Sequence, residues 1–460
     1  MKANAEMIGI GMQTFFGPQV EVVARQTKFV RRRSDLTGGI FLRAMVFACI
    51  EHSKASLSQF AQACLDLGVV ISPQGLNERI GSESVAFTQE MFRQAIDIFR
   101  SHSPLPLSIL QQFSGLYMID SSVISLPSAM GNEYPGCGGD GPQASLKIQL
   151  LFEFLRGNLE QIVFRPGRDP DQRYRDHLTI IRPGSLTLMD LGYFALEHLK
   201  AVAEQAYFLT RYLYPTGLLT TSEEPIDLLR TLQAQPGDVL DMNVLLGTHK
   251  KHQIPARLVA RRLRQEVADR RRQKAKEHAR CDRRQVTKAY LALLDWDIFL
   301  TNVPDTMLSA LQVTLLYRVR WQIELIFKLC KSYCGLRHVA NLRKDRILTE
   351  LYARMIGVIL TYFLVAPIRM PYGAQANREI SPVQVRCIFR RFARSLNQAL
   401  NNLDQLVRNL VDMLEHFLLF GFKQKRKRRP NVCHALHLAS AIYCLDLNLE
   451  QELDLLTLLA

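Results

Sequence analysis

Four side chains between residues 317 and 331 have the types and the spacing that chemistry on a phosphate ester needs. Tyr317, Arg320, Glu324 and Lys331 follow one another at intervals of three, four and seven residues, and on an α-helix these intervals return all four to one stripe. A carboxylate on that stripe can hold a divalent cation, and the two basic side chains can hold a phosphate group. The alternative is a solvated helix face on which Arg320 and Glu324 neutralise each other. This stretch alone favours the ion pairs, so the rest of the chain must decide.

Two aspartates earlier in the chain close apolar segments that have the pattern of buried strands. Asp120 ends the run Leu-Tyr-Met-Ile, after which the predicted strand continues to Leu126, and Asp190 ends the run Leu-Thr-Leu-Met. Between them, residues 146–155 and 159–164 are predicted to form a hairpin around an Arg-Gly-Asn turn. Strand, hairpin, strand, helix, strand is the order of a ribonuclease H-like core, in which the first and fourth strands are neighbours. The sequence therefore predicts that Asp120 and Asp190 lie side by side.

Glu324 would add a third carboxylate to Asp120 and Asp190. Like charges at one point cannot all stay ionised unless protons or cations compensate them. An all-oxygen ligand set favours Mg²⁺ or Mn²⁺ over zinc, and two such ions about 3.5–4 Å apart can activate a water or a 3′-hydroxyl and stabilise the leaving oxygen. Arg320 and Lys331 would then contact phosphate oxygens. Tyr317 would bind a phosphate, stack on a base or pack at the edge of the core.

The charge of the chain indicates a polyanionic partner. The 460 residues carry a formal charge of +15, which favours nucleic acid first and an anionic membrane surface second. Residues 261–284 hold eleven Arg or Lys against four acidic residues, and a second basic run covers residues 423–429. The first is interpreted as a phosphate-tracking surface, with a solvated helix face as the alternative. The second is either a DNA-contacting arm or a solubilising tail.

No membrane segment is predicted. The longest apolar run, residues 355–368, is interrupted and too short for a confident span, so it is interpreted as a buried helix. The nine cysteines are scattered without the spacing of a zinc site, as is typical of free thiols in a reducing cytosol.

The predicted fold class is mixed α/β, with a ribonuclease H-like core, an inserted mostly-β domain and helical regions at both ends. A candidate helix-turn-helix over residues 56–80 has Ser72 as a helix cap and Pro73 at the first helical position, and Gln74, Asn77 and Arg79 would face base edges. A helix capped by Asp169 and Asp171 is predicted to run to about residue 181. The predicted regions are a helical DNA-binding region at 1–110, the catalytic core at 111–214 and 291–345, a β-rich and basic insertion at 215–290, and a helical basic region at 346–460.

Together these residues carry a resemblance to a known family. Asp120, the block Asp-Leu-Gly-Tyr-Phe that begins at Asp190, and the spacing Tyr-x2-Arg-x3-Glu-x6-Lys from Tyr317 to Lys331 resemble the DDE transposases of the insertion-sequence IS-four family, whose YREK signature has this spacing. The resemblance covers about residues 40 to 430. Two strand-end aspartates followed by the four-residue signature are far more specific than any one piece.

The resemblance implies a DNA transposase that binds the terminal inverted repeats of its element and acts as a homodimer in the bacterial cytoplasm, on the nucleoid. It would cut the ends through a hairpin intermediate and join them to target DNA, with Mg²⁺ or Mn²⁺ held by Asp120, Asp190 and Glu324. Tyr317, Arg320 and Lys331 would contact the DNA end near the scissile phosphate.

Two tryptophans complete the predicted DNA contacts. Trp321 follows Arg320, as a tryptophan often does in the family. Trp296 precedes the last core strand and would stack on a displaced base, with core packing as the alternative.

Two other functions are compatible with parts of the sequence. A ribonuclease H-like nuclease or resolvase that only hydrolyses would share the three acidic residues but would not need the Tyr, Arg and Lys stripe. A DNA-binding repressor descended from a transposase would keep the basic surfaces without strand transfer, and the set of three acidic residues argues against it.

Overall fold

The computed structural model divides the chain into two compact units. The first unit holds Met1–Leu105, Ser121–Asp169 and Gln322–Arg428, and the second holds Pro106–Asp120, Pro170–Trp321 and Arg429–Ala460. The residues described are 1–102, 105, 107–139, 141–250, 253–336, 343–368, 379–423, 436 and 440. The division into four regions made from the sequence stays a prediction.

Helices make up most of the regular structure in the described residues. In chain order they are α1 (Lys2–Phe15), α2 (Gln19–Gln26), α3 (Gly38–Glu51), α4 (Leu57–Leu65), α5 (Pro73–Arg79), α6 (Ser82–Ile98), α7 (Ser108–Gln111), α8 (Leu196–Ala203), α9 (Leu228–Ala234), α10 (Gln265–Cys281), α11 (Lys288–Leu293), α12 (Ala310–Tyr317), α13 (Trp321–Lys328), α14 (Lys344–Ile368), α15 (Pro382–Ala399) and α16 (Leu403–Phe420).

The described strands form one mixed sheet. They are β1 (Leu116–Leu126), β2 (Ala144–Glu153), β3 (Asn158–Pro166), β4 (Leu186–Met189), β5 (Tyr207–Arg211), β6 (Leu218–Leu219), β7 (Val239–Leu246), β8 (Ile254–Arg262) and β9 (Trp296–Thr301). Their order in the sheet is β3-β2-β1-β4-β5-β9-β8-β7-β6. Strand β1 begins in the second unit and ends in the first.

The first five strands have the order predicted for a ribonuclease H-like core. Strands β2 and β3 form the predicted antiparallel hairpin, β1 pairs with β4 in parallel, and β4 pairs with β5 in parallel. The predicted fold class, mixed α/β with this core, is confirmed. Strands β6, β7 and β8 of the inserted region belong to the same sheet, since β8 pairs with β9 and β9 pairs with β5.

Helices α4 and α5 form where the helix-turn-helix pattern predicts them. Ser56 and Gln59 make a capping box at the start of α4, and Ser72 caps α5 with Pro73 at the first turn. Gly68 in the connection has φ +86°, a conformation that glycine adopts without steric cost. Contact of these helices with DNA stays a prediction.

The long helix α14 is the core helix of the first unit. By length and apolar composition it is the one helix in the described residues that could cross a membrane, and 89% of its apolar window is buried inside the protein. The buried helix predicted at 355–368 is thus confirmed, within a longer element. Its first half carries Glu350 and Arg354, which pair with each other at 3.1 Å, and Arg354 also donates to the Cys334 carbonyl at 2.8 Å. These bonds satisfy charges that burial would otherwise penalise.

The prediction of a helix between Asp169 and residue 181 is wrong. Two short 3₁₀ turns, Asp171–Arg173 and Asp176–Thr179, occupy this segment, and neither aspartate caps a helix, because Pro170 stands at the first N-cap. The chain is extended at Tyr174 (ψ 119°), and this break interrupts any helix. The break allows both Tyr174 and His177 to be fully buried.

Candidate active site

Asp120 and Asp190 occupy equivalent positions just beyond the paired part of two neighbouring parallel strands: Asp120 lies within β1, and Asp190 directly follows β4. The last paired residues of β1 and β4 are Ile119 and Met189, and the aspartates directly follow them. Asp190 keeps an extended backbone (φ −86°, ψ 167°), so the register of the strands continues through it. Adjacent strands are about 4.8 Å apart, which brings the two carboxyl groups to one edge of the sheet. The predicted juxtaposition of these two aspartates is therefore present.

A tight turn orients the Asp190 carboxyl. The backbone N–H of Gly192 donates to Asp190 Oδ1 at 2.7 Å, and the 3₁₀ turn Leu191–Tyr193 follows. A Cβ placed on Gly192 would lie 3.4 Å from Asp171 Oδ2 and 3.7 Å from Asp190 Oδ1. The Asp171 carboxyl group is thus a neighbour of this turn, a placement that its interpretation as a helix cap had missed.

The segment from Ala310 to Tyr333 is not the single α-helix that the four-residue stripe assumed. Helix α12 ends at Tyr317 and a 3₁₀ turn covers Arg318–Arg320; α13 follows, and a π-helical turn covers Leu329–Tyr333. The tighter turn eclipses residues three apart, which places the Arg320 guanidinium 5.9 Å from the centre of the Tyr317 ring. In the π turn, the Cys334 N–H reaches back to the Leu329 carbonyl at 3.0 Å.

Tyr317 is buried and bonded to the strand that carries Asp190. Its hydroxyl donates to the Met189 carbonyl at 3.2 Å, and its ring lies 5.1 Å from that of Phe299. Burial raises the pKa of Tyr317, while the nearby Arg320 lowers it to a lesser degree. The hydroxyl therefore helps to hold α12 against β4, and a role on DNA stays a prediction.

Arg320 lies beside Asp120. The Arg320 Nη1 and Asp120 Oδ2 atoms are 3.5 Å apart, and the two side chains are only 14% and 18% exposed. A guanidinium at this place can neutralise the aspartate, and it can also receive a phosphate oxygen. Arg320 thus lies next to the Asp120 carboxyl group, and its contact with a phosphate stays a prediction.

The other four predicted site residues differ in how far they are buried. Glu324, on α13, and Lys331, in the π turn, are both half-buried and belong to the first unit. Trp321 is 57% exposed. Trp296 is 7% exposed, with the Arg262 guanidinium 4.6 Å above its ring, so it packs within the protein. The catalytic and DNA-binding roles of all four residues stay predictions.

Arg211 is a neighbour of Tyr317 that sequence reasoning missed. It ends β5, its guanidinium lies 5.5 Å from the Tyr317 ring centre, and it faces Asp297 at 3.8 Å. A signal was available, because Arg211 is the lone charged residue closing an apolar strand, the same pattern that singled out Asp120 and Asp190.

Most of the basic run at 261–284 forms helix α10, while Arg261 and Arg262 belong to the end of β8. Ala268 is the one buried residue of α10. Two of its arginines anchor it: Arg271 pairs with Asp297 at 2.7 Å, and Arg272 pairs with Asp295. The phosphate-tracking role of the remaining exposed cations stays a prediction. Most of the second run, residues 424–429, lies outside the described residues.

The chemistry of the Asp120 and Asp190 side chains suits a hard divalent cation. Both are carboxylates, and oxygen donors are what Mg²⁺ and Mn²⁺ take. Among the residues that the structure describes, no three His, Cys, Asp or Glu side chains form a group that could hold a metal ion. The geometry thus brings two carboxylates together, and their role as metal ligands stays a prediction.

Comparison with known proteins agrees with the sequence resemblance. The transposase DDE domain family matches residues 111–360, more than half of the chain. The transposase for insertion sequence element IS231F of Bacillus thuringiensis subsp. israelensis is 26% identical over 92% of this chain and 93% of that protein. The transposase for insertion sequence element IS1151 of Clostridium perfringens is 26% identical over 91% and 93%.

One solved structure overlaps much of the chain, a piggyBac transposase synaptic complex with hairpin DNA. It has 10% sequence identity and a TM-score of 0.48, and covers 92% of this chain and 86% of that one. The predicted resemblance to DDE transposases is confirmed by the family match over residues 111–360. The chain belongs to the transposase DDE domain family.

Proposed function

We propose that this protein is the transposase of an insertion sequence, which binds the terminal inverted repeats of its element, cuts the strands there and joins them to target DNA. Membership of the family implies phosphoryl transfer on DNA. The observation that carries the proposal is the parallel register of β1 and β4, which places Asp120 and Asp190 at one edge of the sheet with Arg320 beside Asp120.

Asp120, Asp190 and Glu324 are proposed as the carboxylates that hold the metal ions. DDE transposases generally use divalent ions, and when bound these activate the attacking oxygen and stabilise the leaving one. The Gly192 N–H fixes one oxygen of Asp190, so the other stays available. Glu324 is assigned from its place in the signature spacing that begins at Tyr317.

The basic side chains are proposed to hold the DNA end. Arg320 would exchange its contact with Asp120 for a phosphate oxygen when the metal neutralises the carboxylate. Lys331 would contact a neighbouring phosphate and Trp321, exposed on α13, a base or sugar of the same end. The formal charge of +15 supports a protein that neutralises many phosphates.

The assembly and the course of the reaction are also proposals. A homodimer would bring the two ends of the element together, and each end would pass through a hairpin before transfer. The support for both is the YREK resemblance. Mg²⁺ is the ion proposed in the cell, in the bacterial cytoplasm where the element resides.

The test uses the DNA that borders the reading frame. Inverted repeats there would give the end sequence, and a labelled duplex carrying it would be incubated with protein, Mg²⁺ and a supercoiled plasmid. Hairpin ends and labelled plasmid are expected. Nicks or breaks with no joined product would favour a nuclease or resolvase instead. Binding of the end without any cleavage would favour a repressor.

A further inference from the structure

Two buried histidines contact each other behind the turn that carries Asp190. His177 lies in the 3₁₀ turn Asp176–Thr179 and His198 lies on α8. Their Nε2 atoms are 2.9 Å apart, and both side chains are fully buried. Tyr174 lies against His177, with ring centres 5.5 Å apart. The proposed reaction does not use either ring.

The hydrogen bonds define the tautomer of each ring. His198 Nδ1 lies 3.1 Å from the Tyr193 carbonyl oxygen, which can only accept, so this nitrogen carries the hydrogen. In the neutral ring the His198 Nε2 must then accept, and the donor is His177 Nε2–H. This leaves His177 Nδ1 as a buried acceptor without a hydrogen-bond partner.

The pair is held in the neutral state. A second proton on His177 would sit on Nδ1, where the structure offers it no acceptor. Burial lowers the pKa of His177 to about 3, with His198 and Arg175 as smaller causes. Burial likewise lowers the pKa of His198 to about 4, with Arg175 as the smaller cause. Both rings are therefore neutral at physiological pH, in the tautomers given above.

The histidine pair is connected to Asp190 through one turn of backbone. Asp190 accepts from Gly192 N–H at the start of the turn, and Tyr193, at its end, accepts from His198. The next carbonyl, that of Phe194, accepts from Gln172 Nε2 at 3.2 Å. Both carbonyls that close the turn are thus bonded to side chains, and the His177 Nε2–H bond to His198 Nε2 satisfies the neutral tautomer in which His198 donates to Tyr193.

We propose that His177 and His198 are positioning residues, which fix the turn after Asp190 so that its carboxylate meets a divalent cation in a single orientation. This inference rests on the proposed function, because it assumes that Asp190 is a metal ligand. Groups that hydrogen-bond directly to a metal ligand typically change metal affinity about 10- to 100-fold when removed. His198 acts through one turn of backbone, so we expect the lower end of that range.

The experiment measures Mn²⁺ binding to the protein bound to a DNA end, by calorimetry and by electron paramagnetic resonance, with no cleavage required. In His198→Asn, the amide nitrogen replaces Nδ1 and can still donate to the Tyr193 carbonyl. In His198→Gln, the amide lies at the Nε2 end and that bond is lost. We expect His198→Gln to bind Mn²⁺ about tenfold more weakly, and His198→Asn to stay within about threefold of the wild type.

Three results would overturn the inference. Equal Mn²⁺ affinity in His198→Gln and the wild type, at matched thermal stability, would leave the pair with a packing role only. If His198→Gln does not fold, ¹⁵N spectra of the wild-type histidines decide, since a charged ring or the opposite tautomers would contradict the assignment. A wild-type complex that binds no Mn²⁺ would instead overturn the proposed function, and this inference with it.

Discussion

The paired strands that lead into Asp120 and Asp190 differ from the helical run Ala310–Tyr333 in what determines the position of the side chains. In the sheet, backbone pairing of β1 with β4 fixes the register residue by residue, so each side chain follows from its place in the strand. In the helical run, the backbone changes from α to 3₁₀, back to α and then to π. The direction of a side chain there depends on whether its turn is 3₁₀, α or π. In the sheet the side-chain positions follow from strand pairing, whereas in the helical run they follow from the local type of helix.

The largest effects are expected at the three proposed carboxylate ligands, two beside the β1–β4 pair and one on α13. Asp120→Asn and Asp190→Asn should each lower end cleavage by roughly 10³-fold or more, since removing one group that stabilises developing charge already costs about 10²- to 10³-fold. Glu324→Gln should match them if it is the third ligand. End binding in a mobility-shift assay should be nearly unchanged. The control is Asp171→Asn, a carboxylate next to the same turn, for which we expect less than about a tenfold loss.

Cleavage that survives in any one of the three variants would remove that residue from the metal site. A loss in Asp171→Asn as large as that in Asp190→Asn would indicate that local negative charge, rather than metal ligation, is what matters.

A smaller effect is expected at the 3₁₀ turn, where Arg320 and Arg318 form a matched pair. Arg320→Gln should slow cleavage about 10²-fold and tighten Mn²⁺ binding to the DNA-free protein, because the competing cation beside Asp120 is gone. Arg318→Gln, at an exposed position, should weaken DNA binding on every sequence and lower the salt slope by about 1. If Arg320→Gln and Arg318→Gln behaved identically, the 3₁₀ turn would not give Arg320 a function that differs from that of Arg318.

Lys331→Ala should weaken binding to DNA ends more than it weakens metal binding.

The two buried histidines behind the turn after Asp190 should make the stability of the protein depend on pH. His177 and His198 have pKa values lowered to about 3 and about 4, against about 6.5 in the unfolded chain. Between these limits the native state binds fewer protons than the unfolded chain. The contribution of the two histidines to the free energy of unfolding is therefore complete above about pH 6.5. Below that pH, the free energy of unfolding falls by roughly 1.4 kcal/mol per histidine for each pH unit.

Urea unfolding followed at about pH 7 and about pH 5.5 measures this slope. The His177→Gln/His198→Asn double variant should lose less stability than the wild type over this interval, because it has no buried imidazole to protonate. An equal loss in both proteins would assign the pH dependence to other groups.

The smallest effect is expected from the Tyr317 hydroxyl. Tyr317→Phe removes its bond to the Met189 carbonyl and should lower the free energy of unfolding by about 1 kcal/mol, with cleavage reduced less than about tenfold. Thermal unfolding and single-turnover cleavage measure the two. A loss of cleavage as large as that of Asp190→Asn, in a fully stable protein, would give the hydroxyl a direct role on DNA.

The sheet side of the site could be predicted from the sequence, because apolar runs closed by one aspartate mark β1 and β4 and the strand order places them together. The helical side could not. The 3₁₀ turn at Arg318–Arg320 forms where Tyr317 is held by Met189 and Phe299, contacts distant in the chain. The burial of Trp296 under Arg262 is likewise set by pairing of β8 with β9, which composition does not show.

The prediction of a helix between Asp169 and residue 181 was wrong for a related reason. A proline flanked by two acidic residues is a common start of a helix. Here the extended backbone at Tyr174 separates two short turns, and His177, in the second, bonds to His198 on α8. Local sequence signals carry no information about that bond.

The central claim, that Asp120 and Asp190 hold a divalent cation at the DNA end, is tested most directly by changing ligand and metal together. Asp120→Cys and Asp190→Cys would be assayed for end cleavage in Mg²⁺ and in Mn²⁺, because a thiolate is a poor ligand for Mg²⁺ and a better one for softer metals. We expect no cleavage in Mg²⁺ and measurable recovery in Mn²⁺ for both variants. Cleavage in Mg²⁺ at the wild-type rate would contradict the claim.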